Sequence, residues 1–385
     1  MSQKHKLIRI TTVPGSLGGL LKGQLHFMKQ HYKVIGVSSF NKGQLDQVAK
    51  IEAVPVVAIE MTRKITPLKD LKSVWQLYTL FKKEKPFIVH THTPKAGTLG
   101  MFAAYLAKVP NRLHTIAGLP LLEAVGPKRK LLDYVEKLTY ACATKIYPNS
   151  FGLKDIILKN GYTNEAKLKV IGNGSSNGID TEHFNCINFT KVEIQNLKDS
   201  LGIKADDFVF LFVGRLVKDK GINELISAFV ELNASQSNTK LILVGAYERN
   251  LDPLAPEIER QIEEHTCILP LGTMSDVRPY FCLADTLVFP SYREGFPNVV
   301  MEAGAMGIPS IVTDINGCNE IVSNTINGLI IPVKSQQHIL EAMLKMMQDV
   351  GNGAYDPNII RNKIVSTYDR PTIWNEILKE YKSLE

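Results

Sequence analysis

Two carboxylates, Glu294 and Glu302, stand eight positions apart in the stretch SYREGFPNVVMEAGAMGIPSIVTD (residues 291–314), which is otherwise made largely of small and apolar residues. A carboxylate offers two acceptor oxygens, so it can receive both hydroxyls of a vicinal diol, as on ribose or a hexose. Pro297 suits the first residue of a helix running through NVVMEAGAM. Free amides around Phe296, Asn298 and Val299, together with the helix dipole, would then suit a phosphate or a polar sugar. Glu294 falls in the loop before that helix, and Glu302 falls near its second turn with a side chain that leans back toward the N-terminus. Two acids on one cleft could hold two sugar rings. The competing structural reading has Glu294 merely complementing the helix dipole and Glu302 pointing into solvent.

A second chemical signal is VGRLVKDKGI, Val213 to Ile222, which follows one apolar strand-like run and precedes a helical one. Arg215 offers a rigid fork of donors and Lys220 a mobile point charge, complementary ways to hold phosphoryl oxygens and stabilise a diphosphate leaving group. Taken alone, such a turn is equally compatible with solvated cations. Near the N-terminus, PGSLGG reads as a tight loop whose Gly15, Gly18 and Gly19 let backbone approach a ligand. It lacks both the Gly-x-Gly-x-x-Gly and the Gly-x-x-x-x-Gly-Lys spacings, which disfavours nicotinamide or flavin cofactors and a P-loop. VHTHTPKAG carries His90, His92 and Lys95, and RLHTIAG carries His114. His90-x-His92 on a strand is more readily a structural pair, one side chain buried and one at the strand end, than a metal site. His114, at the end of its strand, faces the cleft in this reading, and a chemical and a structural role both stay open.

The elements that must position these residues are short β-branched runs alternating with helical-period segments. KLIRITTV, LLKGQLHFMKQ and YKVIGVSS open a βαβ unit that continues through PFIVHTHT, GTLGMFAAYLAKV, NRLHTIAG and KIYPNS. VIGNGSSNGIDTEHF interrupts the pattern, which restarts at DDFVFLFVGRLVKDKGINELISAFVEL and runs on through TKLILVGAY, CILPLG, DTLVFPS, PSIVTD and GLIIPV. The fold class is α/β: two doubly wound Rossmann-like domains with a central cleft at the carboxyl ends of mostly parallel sheets. We place an N-terminal domain at 1–185, a linker near 174–200, a second domain at 190–368, and an amphipathic segment at 370–385 that crosses back to the first domain.

At 385 residues and 44% hydrophobic content, the chain is long enough for two cores and too apolar for disorder. Charge divides unevenly: residues 1–190 hold 27 Lys and Arg against 12 Asp and Glu, the remainder 18 against 26. The basic clusters from Arg63 to Lys85 and from Gly126 to Leu138 interleave cations with aromatic and leucine side chains, a pattern suited to an anionic membrane face and also to plain solvated helices. Nucleic acid is disfavoured because no recognition motif accompanies the charge. Five scattered cysteines without Cys-x-x-Cys spacing suggest neither a disulfide framework nor a zinc site, and a reducing cytoplasm fits best. No signal-peptide core and no run of about 18 apolar residues is present, so the expected place is the cytoplasm or a membrane surface.

Together these residues resemble glycosyltransferase family 4, the retaining nucleotide-sugar transferases of the GT-B fold. Glu294 to Glu302 looks like the family's Glu-x7-Glu motif, GRLVKDKGI its diphosphate-binding segment, and Asn177 to Asp180 its Asn-Gly-(Val/Ile)-Asp turn. The resemblance implies that Arg215 and Lys220 contact the donor diphosphate and that Glu302 takes the ribose hydroxyls. It gives the transferred sugar to Glu294 with the segment Phe296, Pro297, Asn298 and Val299. It places His114 beside the sugar, brings the loop at Gly18 and Gly19 to the diphosphate, and puts His92, Lys95 and Asn177 at the acceptor or in the cleft. It implies no cofactor and no metal, in keeping with the lack of an Asp-x-Asp motif, and a front-face reaction in which the departing diphosphate helps deprotonate the acceptor.

HTHTPKAG and GNGSSNGID are further similar to bacterial enzymes of capsule or O-antigen assembly. The expected activity is therefore hexosyl or N-acetylhexosaminyl transfer from a nucleoside diphosphate sugar, UDP-linked in the first instance. The acceptor is a glycan or an undecaprenyl-diphosphate-linked sugar. The enzyme would sit peripherally at the inner membrane face, with Lys95, Arg112 and Lys128-Arg129-Lys130 nearest the acceptor or lipid. The alternatives are an epimerase or phosphorylase of the same fold, or a non-catalytic subunit that binds sugar nucleotides.

Overall fold

The structure, a computed structural model, describes residues 4–62, 66–119, 121, 124–250 and 252–385. The chain separates into two compact units, Met1–Gly178 with Pro371–Glu385, and Ile179–Arg370. Residues 63–65 of the first basic cluster lie outside the described residues.

The first unit is built on six parallel strands: β1 (Lys6–Ile10), β2 (Lys33–Ser38), β3 (Val56–Ala58), β4 (Ile88–Thr91), β5 (Asn111–Ile116) and β6 (Lys145–Pro148), in the order β3-β2-β1-β4-β5-β6. Successive side chains of a strand face opposite sides, and both sides here are covered. Leu7 enters one core with Leu17, Leu25 and the terminal-segment residues Ile373, Ile377 and Tyr381, whereas Ile8 enters the other with Leu77, Phe81, Met101 and Tyr140. The helix Arg370–Lys382 thus returns to complete the first unit, because its buried stripe supplies apolar cover for a sheet face otherwise partly bare.

The second unit repeats the plan with β7 (Phe208–Val213), β8 (Thr239–Val244), β9 (Ile268–Gly272), β10 (Thr286–Phe289), β11 (Ser310–Thr313) and β12 (Gly328–Ile331), ordered β12-β11-β10-β7-β8-β9. Renumbered within the unit, this is the same 3-2-1-4-5-6 winding as in the first, so each sheet reverses direction once, between β1 and β4 and between β7 and β10. Crevices outside the carboxyl ends of strands at such reversals are where doubly wound folds bind ligands.

Three sequence expectations change. PGSLGG is a short helix, Pro14–Gly19, rather than an irregular loop. Pro at the helix start fixes φ and Leu17 is fully buried, so the turn winds up against the sheet. The helix after β10 begins at Asn298, with Pro297 in extended conformation at its cap. Cys186 and Cys282 form a disulfide with Cα atoms 5.6 Å apart, where scattered spacing suggested none. Their separation of 96 residues is invisible to a local spacing rule, and the fold brings the residues together.

Candidate active site

The helix Asn298–Ala305 is the centre of the second unit's site, and its position is set by contacts at both ends. Arg361 donates to the carbonyl oxygens of Ala305 and, at 2.8 Å, of Phe184, satisfying the helix's C-terminal end. Gly304 lets the helix Pro357–Tyr368 approach so closely that an added Cβ would lie 2.5 Å from Ile364. At the other end Asn316 Nδ2 donates to the carbonyl oxygens of Glu294 and Gly295, bracing the loop that leads in. Gly317, at φ +80°, lies against that loop, where a Cβ would come within 2.7 Å of the Gly295 oxygen. The loop is therefore fixed by backbone contacts on two sides.

Glu294 Oε1 accepts from Lys220 Nζ and, at 2.9 Å, from Ser291 Oγ. Lys220 lies over the ring of Phe289, 5.3 Å from its centroid, and the two side chains are mostly buried. Lys220 comes from the turn after β7 and Glu294 from the turn after β10, so the pair sits at the sheet's reversal point. Gly221 makes this turn feasible: it adopts φ +71°, and a Cβ there would meet the Pro290 oxygen at 2.2 Å. Arg215 reaches the same edge but is about half exposed, with Nη1 donating to Glu248 Oε2 at 2.6 Å.

Glu302 is partly exposed and, among the described residues, makes no side-chain hydrogen bond or ion pair. Burial among the apolar side chains around it pushes its carboxyl up to about 7, with the positive charge of Arg370 acting in the opposite direction. A carboxyl with no hydrogen-bond partner among the described residues has both oxygens open to hydroxyl donors. The amides of Phe296, Asn298 and Val299 have no acceptor among the described residues, as expected for a helix N-terminus.

In the first unit His114 is buried within β5, two residues before its end, with Nδ1 bonded to Thr91 Oγ1 at 2.8 Å. Its ring lies against Gly97, where a Cβ would stand 2.4 Å from His114 Cε1. Burial lowers its pKa to about 4, so the ring is neutral near pH 7. His90 lies in β4 and His92 directly follows its last residue, and both are buried. His90 bonds Tyr381 and Thr115, and Arg9 Nε donates to His92 Nε2 at 3.0 Å.

Several expected contact residues are occupied. Asn177 Oδ1 accepts from Gln24 Nε2 at 2.9 Å and Trp374 Nε1 at 2.7 Å, while its Nδ2 donates to the Lys22 oxygen, so it ties the terminal helix to the first unit. Lys95 is held by Asp70. Gly18 faces Val48, 2.8 Å from a built Cβ, so its smallness serves helix packing; Gly19 is exposed with open space around it. The bracing residues Ser291, Asn316, Arg361 and Glu248 escaped sequence reading, since each acts on a partner through the fold and none carries a local signature.

Residues 193–362 match the family described as Glycosyl transferases group 1, and residues 21–150 match Glycosyl transferase 4-like. The chain is 33% identical over 381 residues, 99% of its length and 98% of the other, to the capsular polysaccharide biosynthesis glycosyltransferase CapM of Staphylococcus aureus. The chain belongs to the group 1 glycosyltransferases.

This glycosyltransferase is also 30% identical over 385 residues to the UDP-Gal:alpha-D-GlcNAc-diphosphoundecaprenol alpha-1,3-galactosyltransferase of Escherichia coli, covering 96% of this chain and 95% of that one. Its fold matches that of Anabaena HepE in complex with UDP, with a TM-score of 0.81 and 19% identity over 99% of this chain and 100% of the other. The pair of six-stranded parallel sheets is accordingly the GT-B fold. The glycosyltransferase's match to group 1 spans Arg215, Lys220, Glu294 and Glu302, all in the second unit.

Proposed function

We propose that the enzyme transfers a hexosyl or N-acetylhexosaminyl unit, with retention, from a UDP-sugar to a lipid-diphosphate-linked sugar during surface polysaccharide assembly. The observation that carries this reading is the meeting of Lys220 and Glu294 beside the open start of the helix Asn298–Ala305. A diphosphate entering there would draw Lys220 from Glu294, exchanging one charge-assisted contact for another. Glu294 would then be free to accept hydroxyls of the sugar, and Glu302 those of the ribose.

The bond between the sugar C1 and the diphosphate oxygen breaks with its electron pair on the diphosphate, where Lys220, Arg215 and the amides of Phe296, Asn298 and Val299 offset the charge. The acceptor oxygen bonds to C1 on the same face, and its proton passes to the departing diphosphate. His114 is neutral, and its Nε2, which lacks a partner among the described residues, is able to meet a substrate hydroxyl. The donor and acceptor classes follow the activity named for the E. coli relative, and the UDP bound to HepE supports the base. We further propose that no metal is needed, since two cations and a helix start stand where the diphosphate would lie and the sequence lacks Asp-x-Asp. The excess of Lys and Arg over acids in residues 1–190 favours a place at the inner membrane face.

The test is to incubate the purified enzyme with a panel of UDP-sugars and GlcNAc-diphosphoundecaprenol, with and without a chelator, following acceptor mass and product anomeric configuration. Addition of one sugar with retained configuration in the presence of chelator is expected. Conversion of donor without acceptor would point to an epimerase, and tight UDP binding without turnover to a binding subunit.

A further inference from the structure

Cys186 and Cys282 are joined within the second unit, with Cα atoms 5.6 Å apart. Both are partly exposed, whereas the free Cys142 and Cys318 are buried. Cys186 opens the 3-10 turn Cys186–Asn188, whose next residue, Ile187, is 84% exposed, so small molecules in solvent reach this turn. Cys282 lies on the helix Arg278–Leu283. The cysteine spacing points to a reducing compartment, where lasting disulfides are rare and those that form are mostly transient, catalytic or redox-sensing. A partly exposed bond in such a place is open to thiol–disulfide exchange.

This bond sits at the far end of the helix that carries Glu302. Cys186 Sγ lies 3.5 Å from the carbonyl oxygen of Met306, the C-cap of the helix Asn298–Ala305. Arg361 ties the same segment to the same helix end: it donates to the oxygens of Thr181 and Phe184, each at 2.8 Å, and to that of Ala305. Residues 181–186 and the helix terminus therefore share one guanidinium, so a restraint on the segment is passed to the helix. Across from the segment, Arg278 donates to the His183 oxygen at 3.3 Å and lies over the Phe189 ring, 5.3 Å from its centroid. With the bond open, Arg278 keeps the two thiols close and the Cys186 S–H can donate to Met306. With the bond closed, that hydrogen is gone and the segment is pinned covalently.

We propose that Cys186 and Cys282 form a reversible modification site for a low-molecular-weight disulfide, and that closing the bond stiffens the helix Asn298–Ala305 and strengthens nucleotide binding at its start. The consequence for binding rests on the reading of this helix as the donor site; the thiol chemistry does not. In closing, one cysteine thiolate attacks the small disulfide, releases one small thiol and leaves a mixed disulfide. The second cysteine thiolate attacks the protein sulfur of that intermediate and releases the other small thiol. Both cysteine protons end on the released thiols, and two electrons pass to the small disulfide; excess small thiol runs the exchange backwards. A helix held in place before the ligand arrives loses less freedom on binding, which sets the direction of the effect.

The full chain is equilibrated in glutathione buffers of graded oxidised-to-reduced ratio, and its thiols are counted by alkylation and mass spectrometry. The Cys186–Cys282 pair should interconvert without denaturant, with Cys142 and Cys318 unchanged. Amide hydrogen exchange in residues 298–306 should be slower in the oxidised form, and calorimetry should give UDP binding at least about fivefold tighter in it. The Cys186→Ser/Cys282→Ser pair should match the reduced form at every ratio.

A bond that forms at no ratio, or that excess reduced glutathione leaves closed in the native protein, would overturn the proposal. So would equal exchange in residues 298–306, or UDP binding of equal strength, in the two forms. If neither form binds UDP, the donor reading fails instead, and the exchange comparison alone decides whether the bond stiffens the helix.

Discussion

Lys220 and Glu294 share one hydrogen-bonded ion pair across 74 residues of chain, each delivered by the turn that follows a neighbouring strand. Among the described residues neither has another ion-pair partner, and both are mostly screened from solvent. Each holds the other in place.

Lys220→Ala and Glu294→Ala should each lower transfer by at least about 10²-fold, the scale of losing one positioned charge from a water-poor site. Because the two act as a unit, the double variant should lose little more than the worse single one. Initial rates at saturating donor and acceptor check this. Near-normal turnover in either single variant would take that residue out of the mechanism.

Glu302 carries a pH signature. Its folded pKa of about 7 lies above the ordinary carboxyl value of 4.5, so the folded state holds the proton longer than the unfolded chain does. That stability is complete below about pH 4.5 and is lost as pH rises through 7. Glu302→Gln should therefore be more stable than wild type at pH 8, by about 1–2 kcal/mol given its partial exposure, with the gap closing toward pH 5. If the carboxylate accepts two ribose hydroxyls, UDP affinity should rise from pH 6 to 8 in the wild type and stay flat in the variant. Calorimetric titration across that range reads both curves.

The buried histidines should make the first unit acid-labile. His114 falls to about 4, and His90 and His92 fall well below 6.5, in each case chiefly because burial disfavours the charged ring. Unfolding lets them take protons that the folded state refuses, so stability is present above pH 6.5 and is lost as pH falls through the folded values. His114 alone contributes on the order of 3 kcal/mol to this loss. Both tryptophans belong to the first unit, so their fluorescence should report an acid transition between pH 6 and 4. A flat signal to pH 4 would contradict neutral burial of these rings.

The Cys186–Cys282 bond predicts three free thiols of five, at Cys142, Cys267 and Cys318, when the chain is denatured without reductant. Reduction should cost the second unit about 2–4 kcal/mol, as for a bond closing a long loop. Mass spectrometry after alkylation counts the thiols, and five alkylated residues without reductant would count against the bond.

Much of the site was legible because its signals are local. The Glu294–Glu302 spacing, the helix that follows Pro297 and the Arg215–Lys220 turn each depend on a few adjacent residues, and alternating apolar runs report strands and helices through their periods. PGSLGG misled because glycine content speaks for loops while Leu17, drawn into the core, winds the segment into a helix. Asn177, His92 and Lys95 are polar groups suited to ligands by type, and only the fold shows that Trp374, Arg9 and Asp70 bond them.

The sequence by itself determined that two βα-alternating halves exist, that the second carries acids and cations fit for a sugar diphosphate, and that the first is basic. Residue types and short spacings suffice for that. Only the tertiary structure decided that Lys220 faces Glu294, that burial raises the carboxyl of Glu302, and that Cys186 meets Cys282. Those facts depend on strand order, and parallel sheets pair strands that are distant in the chain, so no local pattern contains them.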